Sequence, residues 1–101
     1  MVEQTVKCAH VYITGRVQGV NFRYYTRQQA NSLGVKGWVR NLMDGRVEAL
    51  FVGEGERVQR MIDWCHVGPR ASQVDNVEVH WEEVSGEYHR FEVRQTAYWG
   101  E

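Results

Sequence analysis

One proline and two cysteines in 101 residues leave little covalent or conformational stiffening to hold this chain together. Cys8 and Cys65 lie far apart and form no CxxC pair, which excludes zinc-site and thioredoxin-type readings on spacing. They are read as free thiols in a reducing compartment, with a Cys8–Cys65 disulfide as the alternative. No apolar run approaches ~18 residues and the opening MVEQTVK lacks an apolar h-region, so no membrane span or secretion signal is expected, and the expected location is cytoplasmic. An excess of basic charge is also missing: 12 Lys and Arg are interleaved with 13 Asp and Glu, for a net charge of −1. A nucleic-acid binder carries a basic stripe or balance, so no nucleic-acid partner is expected. The histidines His10, His66, His80 and His89 are dispersed without metal-ligand spacing, and neither a metal nor a cofactor is expected.

What is present is enough for a packed core. At 43% hydrophobic and 25% charged, with no repeat, linker or low-complexity tract, the chain reads as one domain over 1–101, its core about 6–95 and a short tail at 96–101. Val6 to Thr14 alternates, with Ala9, Val11 and Ile13 on one side, as in a half-buried strand. Asn21 stands at an N-cap position. Phe22, Tyr25 or Thr26, Gln29 or Ala30, and Leu33 then recur at helical spacing, and Gly34 supplies the stop. The stretch KGWVRNLMDGRVEALFVGE reads as two strands around a hairpin at Asp44-Gly45. Val58, Met61, Ile62 and Cys65 form a helical apolar stripe that ends at Gly68-Pro69, which gives Cys65 a packing role. Val74 to Val84 alternates again, with Val77, Val79 and Trp81 facing inward, and His89 to Gln95 forms a last short strand around Phe91 and Val93. Trp38, Trp64, Trp81 and Trp99 are read as core and sheet-surface packing.

The element order predicts an α+β fold, a ferredoxin-like α/β sandwich. Its βαββαβ chain forms an antiparallel sheet covered on one face by two helices, with a short C-terminal strand added. That arrangement serves many functions, so the chemistry has to come from a site.

The candidate site is GRVQGVNFR, residues 15–23, where a strand pattern gives way to a helix pattern. The first amides of a helix have no internal partner, and the helix dipole adds partial positive charge there. Gly15 and Gly19 relieve steric limits, so that residues 16–20 can form a backbone nest around phosphate oxygens. Arg23, one turn into the helix, adds a fork of charged donors. The glycines are spaced GxxxG without a following lysine and hydroxyl residue, so this is no Walker A motif. A glycine turn flanked by solvated arginines is the plain alternative. The second segment is GWVRNLMDG, residues 37–45, which places Asn41 near a strand end, where asparagine also serves simply to cap turns.

Together the two segments resemble the signature motifs of the acylphosphatase family, small enzymes that hydrolyse the carboxyl–phosphate bond. The resemblance runs from about Val6 to Gln95 and includes Gly68-Pro69-Arg70-Ala71. It implies that Arg16, Val17, Gln18, Gly19 and Val20 form a phosphate-binding loop, that Arg23 is the phosphate-binding arginine, and that Asn41 holds the attacking water. It further implies catalysis without a metal, a general base or a covalent phosphoenzyme. The partners implied are an acyl phosphate as substrate and inorganic phosphate as product and competitive inhibitor. A monomer is the default expectation for so small and self-contained a domain. Asn21 departs from the GVGFR form of the motif, and Ala97 to Glu101 extend past a common family end point. Three rivals follow from the same features. RNA-recognition domains share the element order, but no segment here matches their basic aromatic signature. A non-catalytic acylphosphatase-like domain that binds phosphate or carbamoyl phosphate for a larger protein is the second, and a regulatory ligand-binding domain the third.

Overall fold

The structure, a computed structural model, describes residues 5–96. Its elements are β1 (Val6–Arg16), α1 (Phe22–Leu33), β2 (Lys36–Asn41), β3 (Val47–Glu54), α2 (Gly55–Val67), β4 (Gln73–Glu82) and β5 (Phe91–Val93). They build a five-stranded sheet in the order β4-β1-β3-β2-β5. The expected ferredoxin-like arrangement is present, with one difference in strand direction. β1–β3, β1–β4 and β2–β3 pair antiparallel, but β5 pairs parallel with β2, Gly37 opposite Phe91 and Val39 opposite Val93. β4 occupies one edge of the sheet and β5 the other, so residues 83–90 must cross the sheet end and return in the direction of β2. The sheet is therefore mixed.

Period-two alternation sets which side of each strand is buried. Ala9, Val11 and Ile13 are fully covered and join Val39, Val47, Ala49 and Phe51 against the helices. From the helix layer come Phe22 and Ala30 of α1 and Val58, Met61, Ile62 and Cys65 of α2, the stripe read from spacing. Each Val, Ile, Met or Phe side chain among them contributes roughly 1.5–3 kcal/mol by leaving water. Cys8 belongs to a separate small cluster with Leu50 and Val52, while Cys65 lies in the main core, and both thiols are free. Burial raises the pKa of both, that of Cys65 far more.

Three local expectations change. Trp81 lies opposite Ala9 and so on the inner side of β4, yet it is 52% exposed, because β4 is an edge strand and the main core ends at Val79. The strand itself stops at Glu82, short of Val84. Asp44-Gly45 does not form a two-residue turn. Leu42 pairs with Arg46 through Leu42 N to Arg46 O (2.8 Å), leaving a three-residue loop in which Gly45 takes the positive φ of 96° and Asp44 does not. Trp64 packs on the core beside Phe22, with ring centroids 5.5 Å apart, and Trp38 sits with the smaller cluster on the opposite sheet face. Trp99 and the 97–101 extension lie outside the described residues.

Candidate active site

The loop between β1 and α1 is shaped by three residues with positive φ. Gly15 (φ 135°) belongs to the strand rather than to the loop: it sits where the β1–β4 register shifts. A Cβ there would come within 2.1 Å of Gln73 O, so its lack of a side chain lets β4 approach. Within the loop, conformational freedom is needed at Gly19 (φ 75°), where a Cβ would meet open space. Asn21 (φ 61°, ψ 28°) holds the N-cap position in the left-handed region, and its side chain makes no capping hydrogen bond. That corrects the cap reading and accounts for the departure in the motif: asparagine is one of the few residues besides glycine that adopts this conformation readily. The first helical bond runs from Tyr25 N to Asn21 O (3.1 Å), so the amides of Phe22, Arg23 and Tyr24 precede the ladder.

These residues border a cleft of about 280 Å³ whose lining includes Val17, Gly19, Asn21, Arg23 and Asn41, together with Tyr24, Arg27 and Val93. Arg23 Nη1 donates to Arg94 O (3.1 Å), just past the end of β5. Arg94 N donates in turn to Val39 O (2.8 Å), and its guanidinium lies 4.9 Å from the Trp38 ring centroid, so β5 and β2 together position the acceptor of Arg23. Asn41 ends β2, and its Oδ1 is buried with no hydrogen-bond partner among the described residues. An orphaned buried carbonyl oxygen costs stability and marks a place where a polar ligand fits.

The members of the predicted loop divide. Val17 and Gly19 line the cleft with Arg23 and Asn41, Arg16 is exposed at the end of β1, and Val20 faces a neighbouring groove with Tyr25, Trp64 and Pro69. The Gln18 side chain is turned to the hairpin instead, donating from Nε2 to Leu42 O (2.8 Å) and Arg46 O (2.9 Å). Sequence reasoning missed this tie. It missed Arg27 as well, although its position four residues after Arg23 places both on one helix face. Among the described residues, no Asp, Glu or His lines the cleft. Asp44, on the hairpin, is held by Arg46. Its carboxyl lies below the usual range because it accepts from the Arg46 amide and pairs with the guanidinium.

The charged groups of the opposite sheet face form their own network. Glu48, 2% exposed, accepts from Arg40 Nε (2.6 Å) and pairs with His10 Nε2 (2.5 Å), while His10 Nδ1 meets Glu82 (2.9 Å). Burial and the Glu48 carboxylate raise the pKa of the Tyr12 hydroxyl beside them. Arg40 and Arg46 are committed to carboxylates here and on the hairpin.

A family model, Acylphosphatase, matches residues 9–93, so that both motifs and every sheet strand but the start of β1 fall within it. The chain belongs to the acylphosphatase family. A protein named acylphosphatase from Chloroflexus aurantiacus is 63% identical over 78 residues, covering 77% of this chain and 85% of that protein. The structure of an acylphosphatase from Coxiella burnetii superposes with a TM-score of 0.85 at 36% identity, covering 93% of this chain and 100% of that one. The same acylphosphatase fold occurs inside full-length HypF in a phosphate- and nucleotide-bound form, at TM-score 0.84 and 27% identity, over 94% of this chain and 13% of HypF. Among the described residues no helix is long and apolar enough to cross a membrane, and no cluster of His, Cys, Asp and Glu suits a metal ion.

Proposed function

We propose that this chain hydrolyses acyl phosphates to a carboxylate and inorganic phosphate by in-line attack of water at phosphorus, with Arg23 and Asn41 as the catalytic residues. One observation carries the assignment of roles: the unpartnered buried Oδ1 of Asn41 and the guanidinium of Arg23 share one cleft with the loop between β1 and α1.

The departing carboxylate is a weak base, so the reaction needs no strong general acid, and positioning with charge stabilisation suffices. Arg23 binds the phosphoryl oxygens with a charged fork. The amides of the loop from Arg16 to Val20 and of the first helical turn supply further donors, with the helix dipole in the favourable direction. Asn41 Oδ1 accepts a hydrogen bond from the attacking water and orients its lone pair toward phosphorus. With no Asp, Glu or His among the described residues that line the cleft, the proton of that water passes to a phosphoryl oxygen as the carboxyl–phosphate bond breaks. No residue of the chain is consumed and no metal enters the scheme. The two buried free thiols suit the reducing cytoplasm, where a monomeric enzyme of this kind would meet its substrate.

Hydrolysis of benzoyl phosphate in excess EDTA tests the reading. Arg23→Gln should lower kcat/KM by about a hundredfold or more, the scale of losing a charged transition-state donor. Asn41→Ala should lower kcat while inorganic phosphate still inhibits at near wild-type concentration. A folded wild type that binds phosphate without turnover would favour the binding-domain reading, for which the HypF likeness is the supporting observation.

A further inference from the structure

On the acylphosphatase reading, the phosphoryl end of the substrate occupies Arg23 and the loop, and the acyl end faces the remaining wall of the cleft, where Tyr24 and Arg27 of α1 stand. Arg27 follows Arg23 by four residues, so the two guanidiniums project from one face of the helix with Cβ atoms about 5–6 Å apart.

Arg27 is set apart from most other arginines of the chain. Arg40, Arg46, Arg57, Arg90 and Arg94 each pair with a carboxylate. Arg27 is exposed and has no ion pair or hydrogen bond among the described residues. The helix that carries it, FRYYTRQQANSL, contains no acidic residue, and among the described residues no carboxylate lines the cleft. Arg23 also lies in the first turn of the helix, where the dipole disfavours positive charge. The phosphoryl group balances Arg23 and leaves Arg27 over. Tyr24 beside it is held as a wall, its hydroxyl accepting from Gln28 Nε2 (2.9 Å) and its ring edge-on to Tyr25 at 5.1 Å.

We propose that Arg27 is a specificity-determining residue that selects acyl phosphates carrying a second anionic group, a carboxylate or a phosphate, a few bonds beyond the acyl carbonyl. The second anion meets Arg27 while the stem between the two charges runs along Tyr24. Arg27 takes no part in breaking the carboxyl–phosphate bond. Its contribution appears in the relative kcat/KM of charged and uncharged substrates.

The test compares three substrates of similar size: benzoyl phosphate bearing a meta-carboxylate, a meta-phosphonate, or a neutral meta-carboxamide. At low ionic strength the wild type should prefer the anionic substrates about three- to fivefold in kcat/KM, the scale of a half-open ion pair. The preference should shrink as salt is added. Arg27→Gln should abolish it, Arg27→Lys should retain most of it, and Arg27→Glu should reverse it. The carboxylate and phosphonate arms show which anion the side chain favours. A wild type without preference, or an Arg27→Gln variant that keeps it, overturns the proposal while leaving the acylphosphatase reading intact. Failure of a folded wild type to hydrolyse any of the three overturns that reading and this one together.

Discussion

Replacing Gln18 by alanine tests whether the loop and the hairpin act as one unit. The side chain makes two hydrogen bonds across the site, to Leu42 O at 2.8 Å and Arg46 O at 2.9 Å, and both acceptors flank the hairpin next to Asn41. Each bond contributes about 0.5–1.5 kcal/mol net. The carbonyls do not become orphans on truncation, because Leu42 O still accepts from Gly45 N and Arg46 O from Leu42 N. The expected destabilisation is therefore about 1–3 kcal/mol, read as a lower urea midpoint with unchanged slope. The effect on catalysis should be larger than on phosphate binding. Loosening the hairpin moves Asn41, and a misplacement of about 1 Å can cost on the order of a hundredfold in rate. We expect kcat on benzoyl phosphate to fall roughly ten- to a hundredfold, with inhibition by inorganic phosphate shifting much less. Gln18→Glu should be worse, since a carboxylate cannot donate to carbonyls and adds negative charge beside the proposed anion site. A double-mutant cycle separates positioning from simple destabilisation: in an Asn41→Ala background the Gln18→Ala penalty on kcat should largely vanish. Full turnover in a merely less stable Gln18→Ala protein, or penalties that add, would refute the reasoning.

Two further outcomes concern the fold. Asn21→Gly should preserve stability within a few tenths of a kcal/mol, whereas Asn21→Val should lose about 1–2 kcal/mol, because a β-branched residue is forced to the left-handed φ of 61°; equal urea midpoints for the two variants would contradict this. Stability should also fall as pH rises above about 9. The unfolded Cys65 thiol ionises there, while burial keeps the native thiol protonated, so the native state holds more protons and ΔG of unfolding drops by up to about 1.4 kcal/mol per pH unit. Cys8, also raised, adds to the slope. Cys65→Ala should lower the baseline stability yet flatten the slope between pH 9 and 10, and a slope unchanged in that variant would count against the assignment.

Much of the fold was legible from local periodicity. Alternation along Val6 to Thr14 states which side chains share a face, and the spacing of Val58, Met61, Ile62 and Cys65 states which helix stripe is apolar. Those faces are the ones the structure buries. The residue types at the β1–α1 junction and at Asn41 were likewise enough to point to an anion site and to a family. Periodicity gives the side of a strand but not its neighbours, so it could not show that Trp81 lies on an edge or that β5 runs parallel to β2. Nor could it show that Gly15 serves a strand bulge while Gly19 serves the loop, because that depends on how closely β4 approaches.

The functional details left to the tertiary structure share one cause. The Gln18 tie spans 24 and 28 residues, Arg23 reaches a carbonyl 71 residues away, and Glu48 draws its partners from β1 and β2. Such contacts depend on strand order and register, which bring distant residues within hydrogen-bonding distance. The chain by itself determined which groups could perform the chemistry, since residue type sets charge, donor count and conformational range. Only the packed sheet decided which of them meet, leaving Asn41 Oδ1 unpartnered in the cleft of Arg23 and turning Gln18 away to hold the hairpin, because hydrogen bonding requires position as well as identity.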